Sequence, residues 1–531
     1  MHRRLCALLV AAFGLAAGCH DFLDVNTNPN GPQSVSANLY LPQMLHWLVT
    51  SPQYDGRFVG RYTQEWTLPS LTLPTALPTT WDRMGYDAGS DNGGEQWRDV
   101  YWSLGQNLVD MNAKATAEQR WDLLGVGLTL KAWGWQVLTD LHGEIIIKEA
   151  FDQSRTTFDY DSQDYAYQEV QRLLDSAIVL LRHTAGAVDA GAVDAGYLAK
   201  GDHIYNGNRV KWLRFAWGMK AVVLNHFSKT ATYQPDAVIA AVDSSFKDNS
   251  DDALLQYPAT STDLQDYNFY GWTRNNIRSY RQTQFVVGLM NGAQFGGVVD
   301  PRMSRMLAPA ADGQYRGVDP NLGGFGALTA SQQPFNFFGY AGTAGAGLPA
   351  RYIFAEKSKL PVMTYAELQF IKAEAALHKG DQPTARTAYM NGISAHIDFV
   401  NARNLDAGQT PTQITGAEKT AFLADTNIVP PPGNLTLSHV MSQKFIALWG
   451  WGHNEIWMDM RRYHYTDLVS GIEVFRGFAP PTNLYADNQG KLVQRIRPRY
   501  NSEYVWNQAG LSAIGALAGD YHTTPLWITP P

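Results

Sequence analysis

The sequence predicts a mainly α-helical fold, in which antiparallel helical hairpins form a scaffold that carries long irregular insertions. The first observation is a capping box, Thr364 followed by Glu367, with Gly380 placed to end the helix. The second is that two adjacent apolar rows run through this helix, which indicates burial against two neighbours. The third is a further apolar stripe from Thr384 to Phe399, so the two helices form a predicted hairpin.

The N-terminal residues predict export and lipid anchoring. A basic start, His2 to Arg4, precedes an apolar run from Leu5 to Ala17 that is too short to span a bilayer. The small residues before Cys19 resemble the lipobox of bacterial lipoproteins, which implies removal of residues 1–18 and lipidation of Cys19. An ordinary secretory signal that is cleaved elsewhere is the alternative.

The predicted mature chain begins with a tether. Residues 19–36 are rich in Pro and Asn, a composition that separates a folded body from a membrane without structure of its own. Residues 37–531 are predicted to form a single helical domain. Its loop-rich insertions are expected near 52–96 and 250–350, where aromatic residues are frequent and helical spacing is weak. Helical spacing is clear in Arg120–Leu141 and Asp161–Leu181.

Composition narrows the class of protein. The net charge is −7 and no basic run is present, so nucleic acid is not an expected partner. The cysteines are Cys6 and Cys19, and because Cys6 lies in the segment to be removed, no disulfide is expected. No later segment is a transmembrane candidate, which favours anchoring over spanning. Aromatic residues reach 12%, and this content suits a protein that binds flat apolar faces, including sugar rings.

Candidate ligand-binding residues are aromatic side chains that stand beside planar polar ones in the insertions. An indole or phenol ring can stack on the apolar face of a pyranose, while Asn, Asp and Arg side chains pair with its hydroxyl groups. The candidates are Trp66, Trp81, Asp82, Arg83 and Tyr86 in one region, and Asp266, Tyr267, Asn268, Tyr270, Trp272 and Arg274 in the other. The alternative is that these aromatics pack the loops onto the helices.

Enzyme and metal signatures are weak. The chain has no nucleophile-elbow, phosphate-loop, zinc-protease or C-x-x-C motif, and no cofactor is expected. His453, Glu455 and His464 could be drawn as a metal cluster, but they lie among apolar residues and structural histidines are the commoner explanation. Arg461 and Arg462 are expected to pair with nearby acids.

Ordered segments along the chain resemble one family. The run T-Y-A-E-x-x-F-x-x-A-E-A-A-x-x-G looks like the late tetratricopeptide-like hairpin of SusD/RagB-type surface lipoproteins. Further segments that resemble the same family are Thr139–Phe151, Asp202–Lys229, Asp300–Arg302, Gln443–Tyr465 and Arg495–Asn507. His142 and Ile147 depart from the family pattern in the first of these.

The resemblance implies a tetratricopeptide-like scaffold and a binding role. A protein of this kind would sit on the outer membrane, capture a nutrient, most often a glycan, and pass it to a SusC-type TonB-dependent transporter. Two alternatives stay open: a peptide ligand in the same role, and a lipid-anchored helical glycoside hydrolase, which would need two carboxyl groups flanking the bond.

Overall fold

The computed structural model describes residues 35–71, 77–183, 195–339, 350–406 and 412–530. The predicted signal peptide, Cys19 and most of the tether lie outside these ranges. The described chain is mainly helical with little sheet, which confirms the predicted fold class. Among its helices, none combines the length and the apolar character that crossing a bilayer requires.

The helices and strands are as follows. The α-helices are α1 Leu41–Tyr62, α2 Glu95–Arg98, α3 Asn107–Ala117, α4 Trp121–His142, α5 Gln163–Leu181, α6 Ala195–Ala199, α7 Arg209–His226, α8 Pro235–Ser244, α9 Gln284–Met290, α10 Met303–Met306, α11 Tyr365–Lys379, α12 Gln382–Arg403, α13 Gly416–Ala424, α14 Leu437–Leu448, α15 His453–Arg462 and α16 Gln508–Ala513. The strands are β1 Trp66–Thr67, β2 Ala253–Gln256, β3 Arg281–Gln282, β4 Lys359–Met363, β5 Leu468–Val469 and β6 Ile472–Glu473. They pair antiparallel as β1 with β3, β2 with β4 and β5 with β6.

The long helices form one continuous row. Helix α3 packs on α4, α4 on α5, α5 on α7, α7 on α8, α8 on α11, and α11 on α12. Each helix therefore buries two faces, as the paired apolar rows of α11 predict. Helices α14 and α15 lie across this row, and α1 packs on α15. The row of hairpins is the scaffold from which the irregular segments project.

The α11–α12 hairpin forms as predicted. The Thr364 hydroxyl accepts from the Glu367 N–H at 3.2 Å, and the Glu367 carboxylate accepts from the Thr364 N–H at 3.3 Å. Gly380 ends the helix with φ of 81°, a left-handed conformation that favours glycine. A Cβ at Gly392 in α12 would lie 2.8 Å from the Phe370 ring, so a glycine lets the two helices approach closely.

The start of the first predicted insertion was placed wrongly. Residues 52–62 continue helix α1, with Pro52 inside it, and the irregular segment begins only after Tyr62. Tyr54, Phe58 and Tyr62 stand four residues apart, which is helical spacing. Pro52 hid this pattern, because proline in a helix interior normally argues against the helix. The second predicted insertion holds β2, β3, α9 and α10 among otherwise irregular residues.

A buried ion network ties the crossing helices to the scaffold. The Arg462 guanidinium pairs with Glu374 of α11 at 2.6 Å, and the Lys444 ammonium of α14 pairs with Glu455 at 2.9 Å. His226 of α7 lies 2.8 Å from the other oxygen of Glu455. Burial opposes the charge on Glu374, but Arg462 lowers the pKa of that carboxyl to about 2. Burial likewise opposes the charge on His226, yet Glu455 and Asp140 raise its pKa to about 9.

The arginine pair is more deeply buried than an exposed helical charge run would be. Arg462 pairs with Asp459, as expected, and also with Glu374. Arg461 instead donates to the Asp140 carbonyl at 2.6 Å and lies 3.8 Å over the Trp457 ring. The two buried guanidinium groups thus connect α15 to α11 and to α4.

Candidate functional site

Three of the first five candidate residues are core residues. Trp66 is 0% exposed and donates from its indole N–H to the Gly56 carbonyl at 3.1 Å. Trp81 is buried between Phe58 and Tyr62. The Asp82 carboxylate is buried and accepts from the Thr67 hydroxyl at 2.9 Å. Their aromatic and acidic side chains pack the irregular segment onto α1.

The second candidate region also contains core residues. Asn268 is buried and donates to the carbonyls of Ile353 and Ala355 at 2.7 and 2.8 Å. Tyr270 is buried and meets Trp66 edge to face at 5.6 Å between ring centroids. The structure therefore brings these two regions together, but inside the core. These core positions agree with the alternative interpretation, in which the candidate side chains pack the loops onto the helices. The residues concerned are Trp66, Trp81, Asp82, Asn268 and Tyr270.

The remaining residues of the second region lie nearer the surface. Tyr267 is half-buried and donates to the Ser261 carbonyl at 3.0 Å. The Arg274 guanidinium lies 4.8 Å from the Phe269 ring centroid. Trp272 is 40% exposed and packs its edge against Phe338 at 6.0 Å. Asp266 is half-buried. None of these four side chains lines the cavities of about 180, 80, 30 and 570 Å³ found elsewhere in the described residues.

Arg83 and Tyr86 fasten the first region to the C-terminal part of the chain. Arg83 donates to the Asn483 carbonyl at 2.8 Å, and the Tyr86 hydroxyl donates to Asp487 at 2.9 Å. Tyr86 also faces a cleft of about 180 Å³ between residues 81–94 and 495–504. We call this the aromatic cleft; its side chains include Trp81, Tyr86, Asp87, Asp91, Asn92, Arg497, Arg499, Tyr500, Tyr504 and His522.

Tyrosine rings form one side of the aromatic cleft. Tyr500 and Tyr504 bracket a π-helical turn, which places their rings nearly parallel, 13° apart, with centroids 6.0 Å from each other. Tyr500 is 37% exposed. The Arg497 guanidinium lies between Tyr86 and Tyr504, at 4.7 and 5.2 Å from their centroids. This cation–π arrangement fixes the rings in place.

Hydrogen-bonded carboxylates form a further part of the rim of the cleft. Asp87 accepts from the Trp81 indole and from the Asn92 amide, each at 2.8 Å. Asp91 accepts from the Asn501 N–H at 2.9 Å and forms an ion pair with Arg499. The rim is therefore held rigidly, and its carboxylates keep lone pairs for hydroxyl donors.

Three titratable rings of the cleft, those of Tyr86, Tyr504 and His522, are neutral near pH 7. Burial, followed by the hydrogen bond to Asp487, raises the pKa of Tyr86 to about 12. Burial raises the pKa of Tyr504 to about 12, although Arg497 opposes it. Burial lowers the pKa of His522 to about 4. The aromatic faces thus present uncharged surface between two Asp and two Arg side chains.

Sequence reasoning missed the C-terminal half of this cleft. Residues 495–507 were noted for family resemblance and not for binding. A signal was present, because Tyr500, Tyr504 and Trp506 stand beside arginine and asparagine residues. That is the pattern that selected the other candidate regions.

The residues weighed as a metal cluster bind separate partners. His453 lies 2.9 Å from Glu65 and 2.8 Å from the Tyr270 hydroxyl. Glu455 pairs with Lys444 and His226, and His464 lies 3.0 Å from Asp467. Each of these side chains belongs to a local structural contact.

Fold and cleft together define a class: a scaffold of tetratricopeptide-like hairpins that supports a loop-built cleft. Residues 55–487 match the model of a family described as SusD-like, starch-binding and associating with the outer membrane. The chain belongs to this SusD-like family, which confirms the resemblance seen in the sequence. No curated protein matches the sequence.

Solved structures share the fold. A SusD/RagB family protein from Bacteroides thetaiotaomicron is 20% identical with a TM-score of 0.68, over 93% of this chain and 99% of that one. A SusD homologue from Bacteroides fragilis is 19% identical with a TM-score of 0.69, over 93% and 100%. A chitin-binding SusD homologue from Flavobacterium johnsoniae is 20% identical with a TM-score of 0.64, over 93% and 98%.

Proposed function

We propose that this protein is a lipoprotein of the outer membrane surface, anchored through Cys19, that binds a glycan in the aromatic cleft. It then delivers the glycan to a SusC-type TonB-dependent transporter. Binding of this kind needs no catalytic group. The family description, starch-binding and associating with the outer membrane, supports the class of ligand and the location.

The observation that carries the proposal is the tyrosine face of the cleft. The Tyr500 ring is 37% exposed and lies nearly parallel to the Tyr504 ring, so a pyranose can lay its apolar face on Tyr500 and exclude water. Asp87, Asp91 and Asn92 also line the cleft and offer acceptors and donors for hydroxyl groups. Because these groups are already fixed by internal contacts, little side-chain entropy is lost on binding.

The test is calorimetric titration of residues 20–531 with starch and chitin oligosaccharides and with peptides. We expect saturable binding of an oligosaccharide, weakened about tenfold or more by Tyr500→Ala, because the stacking surface is removed. Trp102→Ala is the matched control, since Trp102 is 71% exposed and does not line the cleft.

Three results would contradict the proposal. Equal affinity in wild type and in Tyr500→Ala would place the ligand elsewhere. Binding of peptides alone would leave the delivery role and change the ligand. Release of shortened sugars during the titration would favour the hydrolase alternative.

A further inference from the structure

A second concavity, of about 570 Å³, lies on a different part of the insertions. It opens between helix α9 with the residues after it, the segment 315–321 and the loop 477–479. We call it the amide pocket; its polar side chains include Gln64, Gln284, Asn291, Gln294, Arg316 and Asn321. It shares no lining residue with the aromatic cleft.

Buried hydrogen bonds next to the amide pocket hold its segment 315–321 beside the start of helix α9. Gln282 is 0% exposed, and its amide donates to the carbonyls of Ala308 and Arg316 at 2.8 and 2.9 Å. Its side-chain oxygen accepts from the Ala308 N–H at 2.9 Å. A Cβ at Gly317 would collide with the backbone of Thr283, so a glycine is needed where the two segments meet. The concavity is therefore a pre-formed feature and not a gap between loose loops.

The amides that face the pocket keep free hydrogen-bonding capacity. Gln284 and Gln294 make no side-chain hydrogen bond to any part of the chain that the structure describes. The Gln64 amide N–H donates to the Ala479 carbonyl at 2.6 Å, and its oxygen is left over. Asn291 accepts one hydrogen bond, from the Ala293 N–H at 3.0 Å, and keeps its own donors. The pocket thus offers donors and acceptors in the same small volume.

Charged groups at the pocket form contacts within the chain. One guanidinium nitrogen of Arg316, Nη1, donates to both carboxylate oxygens of Asp312, each at 2.7 Å. Asp319 accepts from the Asn321 N–H at 2.8 Å and from its amide at 3.1 Å. Phe285, packed against Phe445 and Phe478, gives an apolar wall. Such a lining suits an uncharged ligand with many hydroxyl or amide groups.

We propose that the amide pocket is a second binding site for neutral saccharide units, independent of the aromatic cleft. This proposal rests on the proposed function for the class of ligand, and it adds a separate place and a separate chemistry. Recognition here uses amide pairs to hydroxyl groups, whereas the aromatic cleft uses ring stacking. A volume of about 570 Å³ is within the usual range for small-molecule sites.

Gly288 allows the pocket to be filled without disturbing the fold. It lies in α9 and lines the pocket, and a Cβ there would meet no atom within 4 Å. Gly288→Leu therefore places a side chain in the cavity, and removing a helical glycine favours α9. Gly416→Leu is the matched control, because Gly416 lies in α13, also has open space at its Cβ, and lines neither site.

The experiment is calorimetric titration of residues 20–531 with maltotriose and with triacetylchitotriose. We expect two sites per chain in wild type and in Gly416→Leu, and one site in Gly288→Leu. Tyr500→Ala should also leave one site, and the double variant none. Circular dichroism of each variant checks that it is folded.

The outcomes separate the two proposals. If Gly288→Leu titrates like wild type, the amide pocket is not a saccharide site, whatever Tyr500→Ala does. If Gly288→Leu abolishes all binding and Tyr500→Ala has no effect, the pocket stands and the aromatic cleft fails. If neither sugar binds to the wild-type protein, the aromatic cleft and the amide pocket are both overturned as binding sites for these sugars.

Discussion

Glu367 combines two roles at one position. Its carboxylate closes the capping box of α11, and it is buried near Glu455, Lys444 and Asp459. Burial, together with the charge on Glu455, raises its pKa to about 8 from an ordinary 4.5, although Lys444 opposes this rise. Near neutral pH the native chain therefore holds a proton here that the unfolded chain has already released.

We expect the free energy of unfolding to fall between pH 7 and pH 9. Glu367, with a pKa of about 8, and His226, with a pKa of about 9, lose protons in this window only in the native state. Since the native state then binds more protons than the unfolded one, stability decreases as pH rises. Glu367→Gln keeps the cap and should reduce the slope by up to about 1.4 kcal/mol per pH unit.

Urea unfolding at pH 7, 8 and 9 measures this slope. Glu418→Gln is the control, because Glu418 closes an equivalent capping box on the surface and its pKa lies below the ordinary value. It is ionised throughout the window, so its replacement should leave the slope unchanged. A slope that Glu367→Gln does not alter would show that the buried carboxyl is ionised already at pH 7.

Single residues also mark the limit of sequence reasoning about the site. Trp66 and Tyr270 have the right chemistry for sugar binding, and the same chemistry suits a core. Which of the two applies depends on contacts with residues far along the chain, such as the edge-to-face contact between these rings. Local spacing contains no such distances. Tyr86 lines the aromatic cleft, but Tyr500 and Tyr504, which line it too, come from the other end of the sequence.

At the scale of secondary structure, ion pairs connect helices that are not neighbours in the row. Lys444 of α14 lies between two carboxylates of α15, at 2.9 Å from Glu455 and 2.8 Å from Asp459. Glu455 in turn contacts His226 of α7. Each buried charge therefore has a partner of opposite sign, and such pairing is what allows charged side chains to be buried.

Lys444→Met should therefore destabilise the fold strongly. It leaves Glu455 and Asp459 buried with less compensation, and we expect a loss of about 3–5 kcal/mol in the free energy of unfolding. Lys419→Met is the matched control, because Lys419 pairs with Asp398 at 2.7 Å on the surface. Its loss should be at most about 1 kcal/mol. Equal losses in the two variants, measured in urea, would contradict this account of the network.

The elements that the sequence predicted well are those with local signals. Thr364, Glu367 and Gly380 define both ends of α11 without reference to the rest of the chain. Helix α1 was cut short because Pro52 is also a local signal, and here the packing of Tyr54, Phe58 and Tyr62 overrides it. Apart from the pair between Arg462 and Asp459, the ion network was not predicted, since its members are spread from α7 to α15.

At the scale of the whole molecule, the insertions form most of both concavities, and the row of hairpins supports them. Apart from Tyr62 at the end of α1, the lining residues of the aromatic cleft and of the amide pocket come from irregular segments and short helices, whereas the long helices supply rigidity. This division suits the proposed role, in which the scaffold docks on a transporter while the loops hold the ligand.

Fractionation of the full-length protein tests the proposed location and partner. We expect wild type in the outer membrane, with a large β-barrel protein recovered when it is extracted in mild detergent. Cys19→Ser should release the protein from the membrane, because the lipidated thiol is lost. Cys6→Ser is the control, since Cys6 lies in the segment predicted to be removed. Membrane retention of Cys19→Ser without a β-barrel partner would overturn both parts of the proposal.

The burial of the indoles also determines how this protein can be observed by spectroscopy. Trp66, Trp212, Trp449 and Trp457 are completely shielded from water. Their emission lies at short wavelength in the native state and moves to longer wavelength when unfolding exposes them. The amide pocket has no indole in its lining, and the aromatic cleft has only the buried Trp81. The emission wavelength of tryptophan therefore reports unfolding sensitively, whereas ligand binding at either site is better measured by calorimetry.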